Sequence, residues 1–388
     1  MKRFVYGATC LLALLATACG NTDRKSSDLP QIDMDVEYPE KEICLQDIAE
    51  VSYIPLETSD EMLSDGNLVE LSENGIVGVD NANDKVLLFY PDGKIRNLLA
   101  RKGGGPQEYV RLEDVTVDWK REEIFITHKR GTRIQVYTLD GVYKRTLEVN
   151  EMSRQGDLYQ FDDNCLLAFK EKIDLEGYNR KVKPYHPVLL ISKEDGRIDS
   201  LSYLKDYIAS LVITNLSAQQ PITYPAYVIS GNSIYLADMG HDTVYTIHKD
   251  GTLSPYLTRT PSVKSDSENA YFLNLNGVVA HYDFITRLSK NWTLGDNFEV
   301  MDNNSRSWMH NRKSGEIFQP AFKNQDCPSL KLNLLFVPGY ANCGYYPMEA
   351  FKLIEALEAG QLSGELKTIA QGLEEDANPV LMVVKFRE

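Results

Sequence analysis

The sequence predicts an all-β fold, a six-bladed β-propeller of four-stranded antiparallel blades, and three observations carry that prediction. Between residues 70 and 320, short apolar runs rich in β-branched and aromatic residues are separated by Gly, Asn and Asp, which is the pattern of strands and hairpins. A strand ending in an Asp-Gly turn recurs at Asp92-Gly93, Asp140-Gly141, Asp195-Gly196 and Asp250-Gly251, with a weaker fifth at Ser314-Gly315. Two-residue hairpin turns need positive φ, which Gly and Asp tolerate. The turn glycines lie 48, 55, 55 and 64 residues apart. Propeller repeats commonly run to roughly 40–50 residues, so the spacing fits blades with loop insertions. The 22 tyrosines suit half-buried sheet positions.

In chain order, residues 1–18 read as a signal peptide: Lys2 and Arg3 supply the positive start, and Phe4 to Ala18 is an apolar stretch too short for a permanent membrane span. Leu15-Ala16-Thr17-Ala18-Cys19 resembles the bacterial lipobox, which makes Cys19 the expected lipidation site. Residues 19–48 are expected to be a flexible tether, because residues 20–35 carry little apolar content. The propeller is assigned to residues 49–388. Its second blade shows the full grammar, with strands at 114–118, 124–128, 133–139 and 142–149; the fourth repeats it at 227–229, 233–238, 243–248 and 253–258. The stretch 259–310 is irregular and leaves six against seven blades open. Val51 to Leu56 and Asn378 to Phe386 both read as strands, and one is expected to complete the other's blade, since an unclosed ring leaves sheet edges exposed. Met348 to Leu373 reads as a helical excursion within the last blade, with Phe351, Ile354, Leu357 and Leu362 as its apolar positions.

Charge and cysteine content exclude several classes. With 41 basic against 56 acidic side chains the net charge is -15, and no dense Lys/Arg run offers a nucleic-acid surface. Loss of Lys2 and Arg3 with the signal takes it to -17. Cys44, Cys165, Cys327 and Cys343 allow three disulfide pairings, with Cys327 and Cys343 the closest in sequence; buried free thiols are the other reading. There is no Cys-x-x-Cys, no His-Glu-x-x-His and no Gly-x-Ser-x-Gly, so neither a metal site nor a cofactor nor a catalytic group is assigned.

Two motifs sharpen the reading. Arg101-Lys-Gly-Gly-Gly-Pro-Gln-Glu-Tyr109 precedes the strand Val115 to Asp118, and Ile234 to Asp238 is followed by a second strand from Thr243. With the terminal Asn378-Pro-Val-Leu381, these make the chain from about residue 45 to 388 resemble the six-bladed β-propeller lipoproteins of Gram-negative bacteria, relatives of the TolB-like and NHL-repeat propellers. Gln107 stands where that family usually has Gly. The resemblance implies a fold and a cell-envelope location, and little about activity.

Gly103 to Gly105 admits two readings, an anion cradle of backbone amides or a tight crossover between blades; no Gly-Lys-Ser/Thr follows it, which favours the crossover. The connections between blades and between second and third strands share one face of a propeller, and loop-rich mouths favour ligands. Arg101, Lys102, Arg130 and His241 are therefore the candidate ligand-binding residues. The expected function is a monomeric binding or scaffolding propeller, lipid-anchored to the outer membrane, for a protein, peptide or glycan partner. The alternatives are a glycosidase or lyase whose carboxylates converge at the channel mouth, and a metal-assisted hydrolase.

Overall fold

Six antiparallel sheets form the blades of a propeller, in a computed structural model that describes residues 29–129, 131–149, 158–169, 188–200, 227–231, 233–238, 241–250, 252–263, 271–289, 293–294, 300–301 and 305–388. The chain enters through β1 (Gln31–Asp33), β2 (Glu40–Cys44), one helical turn α1 (Leu45–Ile48) and β3 (Ala49–Pro55). Blade one is β4 (Leu68–Ser72), β5 (Gly75–Asp80), β6 (Lys85–Phe89) and β7 (Ile95–Leu99). Blade two is β8 (Asp114–Asp118), β9 (Glu123–His128), β10 (Arg133–Thr138) and β11 (Tyr143–Glu148). Blade three is β12 (Leu158–Gln160), β13 (Cys165–Phe169), β14 (Val188–Ser192) and β15 (Ile198–Ser200). Blade four is β16 (Tyr227–Ser230), β17 (Ser233–Leu236), β18 (Thr243–Ile247) and β19 (Leu253–Thr260).

Blade five explains the irregular stretch. Its first two strands, β20 (Tyr271–Val279) and β21 (Tyr282–Ser289), are long, and a hairpin of β22 (Thr293–Leu294) and β23 (Val300–Met301) intervenes before β24 (Arg306–Asn311) and β25 (Ile317–Lys323). The insertion hides the blade's period, and the count is six. Blade six holds β26 (Cys343–Met348) and β27 (Val380–Phe386), with α2 (Ala350–Glu358) and α3 (Gly364–Ala370) between them. The ring closes as expected: β3 runs antiparallel to β27 from Val380↔Pro55 to Phe386↔Ala49.

Middle strands are sandwiched between neighbouring blades and are apolar on both faces. Every residue of β9 is buried, as are five of the six in β5, whereas the outer strands β7 and β11 are mostly half-buried. The Asp-Gly turns explain themselves chemically. The carboxylates of Asp92, Asp195 and Asp250 each accept a bond from the amide two residues on, at 3.2, 3.2 and 2.9 Å. The glycines adopt φ of 84° at Gly93, 80° at Gly141 and 74° at Gly196. Space is as decisive as angle, because a Cβ on Gly93 would stand 2.2 Å from the Pro55 carbonyl oxygen of the preceding blade. The turns of blades one to three thus dock on the outer strand of the preceding blade, Gly141 against Leu99 and Gly196 against Leu147 and Glu148.

Two sequence expectations need correction, and the two readings of the cysteines are resolved. The tether stops short of residue 48: β1 adds in parallel to β19 and β2 to β25, as a strap across the outside of blades four and five. Ile32 and Met34 are fully buried, and the Arg287 guanidinium bonds the Met34 carbonyl and the Glu37 carboxylate. A short parallel edge needs only a few apolar anchors, so low apolar content did not mean a free segment. In the last blade, Phe351 is exposed while Leu353 and Leu366 are buried; Gly360 ends the first helix, so one continuous apolar face never forms. The four cysteines Cys44, Cys165, Cys327 and Cys343 are free thiols, and burial pushes Cys343 up to about 11. Cys19 lies outside the described residues. Among those described, no helix is long and apolar enough to cross a membrane.

Candidate functional site

The Gly-rich crossover is filled by its own chain. The Glu108 carboxylate accepts a bond from the Gly105 amide at 2.8 Å and occupies the space that a Cβ on Gly103 would need, 1.9 Å away. Tyr109, fully buried, anchors the loop, its hydroxyl donating to the carbonyl of Asp84 at 2.7 Å. The three glycines therefore serve a crossover, and the carboxylate they cradle is internal.

Of the sequence-predicted residues, Arg101 and Lys102 sit together on this crossover, both exposed. Lys102 pairs with Asp84 at 2.5 Å. Burial would raise the Asp84 carboxyl, but Lys102 and the Leu112 amide outweigh it and hold it below the usual range. Arg130 lies outside the described residues. His241 belongs to the β17–β18 turn of blade four, across the ring from blade one. The structure thus joins the loops of blades one and two and leaves His241 apart. The nearby carboxylates also serve the scaffold: Glu113 accepts from the Gly131 amide, and Asp114 from the Val115 and Leu158 amides. His128 is buried beneath the crossover, where desolvation lowers it to about 4, and its Nδ1 accepts from the Val110 amide. Among the described residues, no group of three or more His, Cys, Asp or Glu is placed to hold a metal ion.

One carboxyl is strongly raised. Glu70 on β4 is raised to about 7, mainly by burial and further by Asp118, against the lowering effect of its bonds with Trp119 and Ser72. The Trp119 indole donates to Glu70 Oε1 at 2.5 Å. Because the folded value lies above the unfolded one, this group's contribution is complete below about pH 4.5 and is lost as pH rises through about 7. Glu70→Gln, which keeps an acceptor for Trp119, should match the wild type in denaturant midpoint at pH 4 and be more stable at pH 8. The expected gain is about 2–3 kcal/mol; equal midpoints at both pH values would refute it.

An open cleft lies between blades five and six. It encloses about 660 Å³, and its rim draws on the inter-blade connections at Asn67 and at 332–337. Its aromatic walls are Phe284, Trp308, Phe322, Phe336 and Tyr345, and its polar groups are Asn67, Asn276, Thr286, Ser307 and Asn333. The opening follows from sequence. Pro328, Pro338 and Gly339 flank the segment that would be the innermost strand of blade six, leaving it only a two-bond bridge of Leu335 to Tyr345. The blade therefore has three full strands, and the space of the fourth is part of the cleft.

The family described as a domain of unknown function, DUF4934, matches residues 29–385. The chain belongs to that family. The match includes the strap, in keeping with its place in the fold. Among solved structures, a putative exported protein of Bacteroides fragilis is 15% identical, with 92% of this chain and 99% of that one covered and a TM-score of 0.61. This likeness shows the propeller fold. A member of the DUF4221 family from Bacteroides vulgatus is 10% identical over 88% of this chain and 99% of its own, at 0.48. A catalytically inactive virginiamycin B lyase of Staphylococcus aureus, with quinupristin, is 9% identical over 86% and 99%, at 0.38. Likenesses this distant carry no argument about chemistry. No curated protein matches the chain.

Sequence reasoning missed the cleft of this DUF4934 propeller because its residues come from chain segments far apart. One local signal existed: Gly277 inside a strand pattern marks a bulge or a close approach, and here it marks both.

Proposed function

We propose that this protein is a monomeric binding propeller of the TolB-like and NHL-repeat kind, anchored through a lipid on Cys19 to the outer membrane, and that it takes its partner in the cleft between blades five and six. The observation that carries the binding reading is the cleft itself: about 660 Å³ with aromatic walls and a few uncharged polar groups, the make-up of ligand sites generally. The lipobox supports the anchor, and the strap supports a short route from membrane to ring, since the fold begins by Gln31 and leaves about a dozen residues after Cys19. The net charge argues against a nucleic-acid partner.

The test is purification of the anchored protein from its own cells beside Asn276→Trp, which fills the cleft mouth at an exposed position, and Cys19→Ser. A stoichiometric partner should accompany the wild type and be lost from Asn276→Trp, while Cys19→Ser should leave the membrane fraction. Equal recovery with Asn276→Trp would place binding elsewhere.

A further inference from the structure

We infer that the cleft between blades five and six binds an uncharged glycan, with Asn276 and Thr286 as its hydrogen-bonding pair and the Phe336 ring as its stacking surface; the inference rests on the binding reading above.

Asn276 is the extra residue of a β-bulge. Strand β20 pairs with β21 at Leu275↔Ile285 and resumes at Gly277↔Phe284, so Asn276 has no partner in the ladder. Bulges of this kind re-aim a side chain, and Asn276 is exposed on the cleft lining. Two bonds hold its amide: Asn274 Nδ2 donates to Asn276 Oδ1 at 2.7 Å, and Asn276 Nδ2 donates to Thr286 Oγ1 at 2.6 Å. A primary amide carries two N–H donors and two acceptor lone pairs. One of each remains on Asn276 at a fixed orientation, and the Thr286 hydroxyl, having accepted, retains its own proton to donate. Neighbouring hydroxyls on a sugar ring each donate and accept, and they match such an alternating set.

The stacking surface is seated beside it. A Cβ on Gly277 would lie 2.6 Å from the Phe336 ring, and one on Gly344 would lie 3.0 Å from it, so the two glycines make room for the aromatic. The C–H face of a sugar packs on such a ring while its hydroxyls meet the amides.

Charge selects the ligand class. Among the described residues, none of the 17 that line the cleft is charged, in a chain whose charged fraction is 25%. The nearest buried cation of the blade, Arg287, is committed to Met34 and Glu37 of the strap. An anionic glycan, phosphate or carboxylate would find no counter-charge among the described lining residues, whereas a neutral sugar gives up only hydroxyl hydration, which the amides restore.

The test is an array of neutral, uronic-acid and sulfated glycans probed with the mature chain, with titration calorimetry on every glycan that binds. Neutral glycans should bind, and Asn276→Ala and Thr286→Val should each weaken them about tenfold with unfolding temperature unchanged. Thr286→Val keeps the shape of a β-branched strand residue, so it reports even if Asn276→Ala folds poorly. A blank array, binding confined to charged glycans, or affinities unchanged in both variants would overturn the inference. A protein that accompanies the wild type and is lost from Asn276→Trp, together with a blank array, would remove the glycan and leave the binding reading standing.

Discussion

Deletion of residues 379–388 is expected to leave a chain with no cooperative unfolding transition. The lost strand, β27, is the middle member of the closing sheet, paired with β26 on one side and β3 on the other. Val380, Leu381, Met382 and Val384 are fully buried, and Val383 and Phe386 nearly so. Burying a side chain of this size is worth about 1.5–3 kcal/mol, so the six together, about 9–18 kcal/mol, are as large as the roughly 5–15 kcal/mol that holds a typical domain. The deletion also uncovers two strand edges. Circular dichroism during thermal and denaturant unfolding checks this. A sigmoidal transition within a few degrees of the wild type would mean that the ring does not depend on its closure. In the full-length chain, Val384→Asp places a carboxylate at the same seam without removing backbone, and should cost several kcal/mol, because a buried charge there has no partner.

What the sequence revealed follows from how local each signal is. The strands of blades two and four lie within two residues of their expected bounds, because apolar alternation and Asp-Gly turns act over a few residues. Closure by Val51 and Val384 was legible from two apolar segments at opposite ends that each lacked a local partner. The strap was not, since Ile32, Met34 and Ile43 are scattered among polar residues and become anchors only against outer strands more than 200 residues away. Lys102 was expected to face a ligand, yet it pairs with Asp84, a contact that no spacing rule predicts. The cleft was the least legible feature. It exists because Pro338 and Gly339 spoil one inner strand and because a bulge at Asn276 faces it from another blade. The cleft lies where the repeat fails, and a search for repeats passes over such places.

Asp118→Ala should be among the most destabilising single substitutions outside the apolar core. Lys193, in the turn that ends at Gly196, is completely buried and reaches across from blade three to Asp118 of blade two at 2.7 Å. Its ammonium also bonds the Asp162 carbonyl, and its own carbonyl accepts from Arg145 Nε at 3.1 Å. Arg145 in turn grips Glu123 with two bonds, at 2.6 and 2.8 Å. Burial works to raise the Glu123 carboxyl, but Arg145 and Lys144 outweigh it and bring it down to about 2. The seam between these blades is therefore a chain of charges in which Lys193, Asp118 and Glu123 are buried and Arg145 is partly exposed, and its cost depends on which charge is orphaned. Removing the Asp118 carboxylate leaves a buried ammonium with one carbonyl, and breaking such a pair costs about 3–5 kcal/mol. Lys193→Met should cost less, because Asp118 keeps the Arg121 amide at 3.0 Å and the Arg121 guanidinium at 3.9 Å. The double variant Asp118→Ala/Lys193→Met should be more stable than Asp118→Ala alone, since no buried charge is then left unpaired. Urea midpoints of the three variants at one pH measure this order directly. Equal losses for the two single substitutions, or strictly additive losses in the double, would show that the ion pair does not hold the seam.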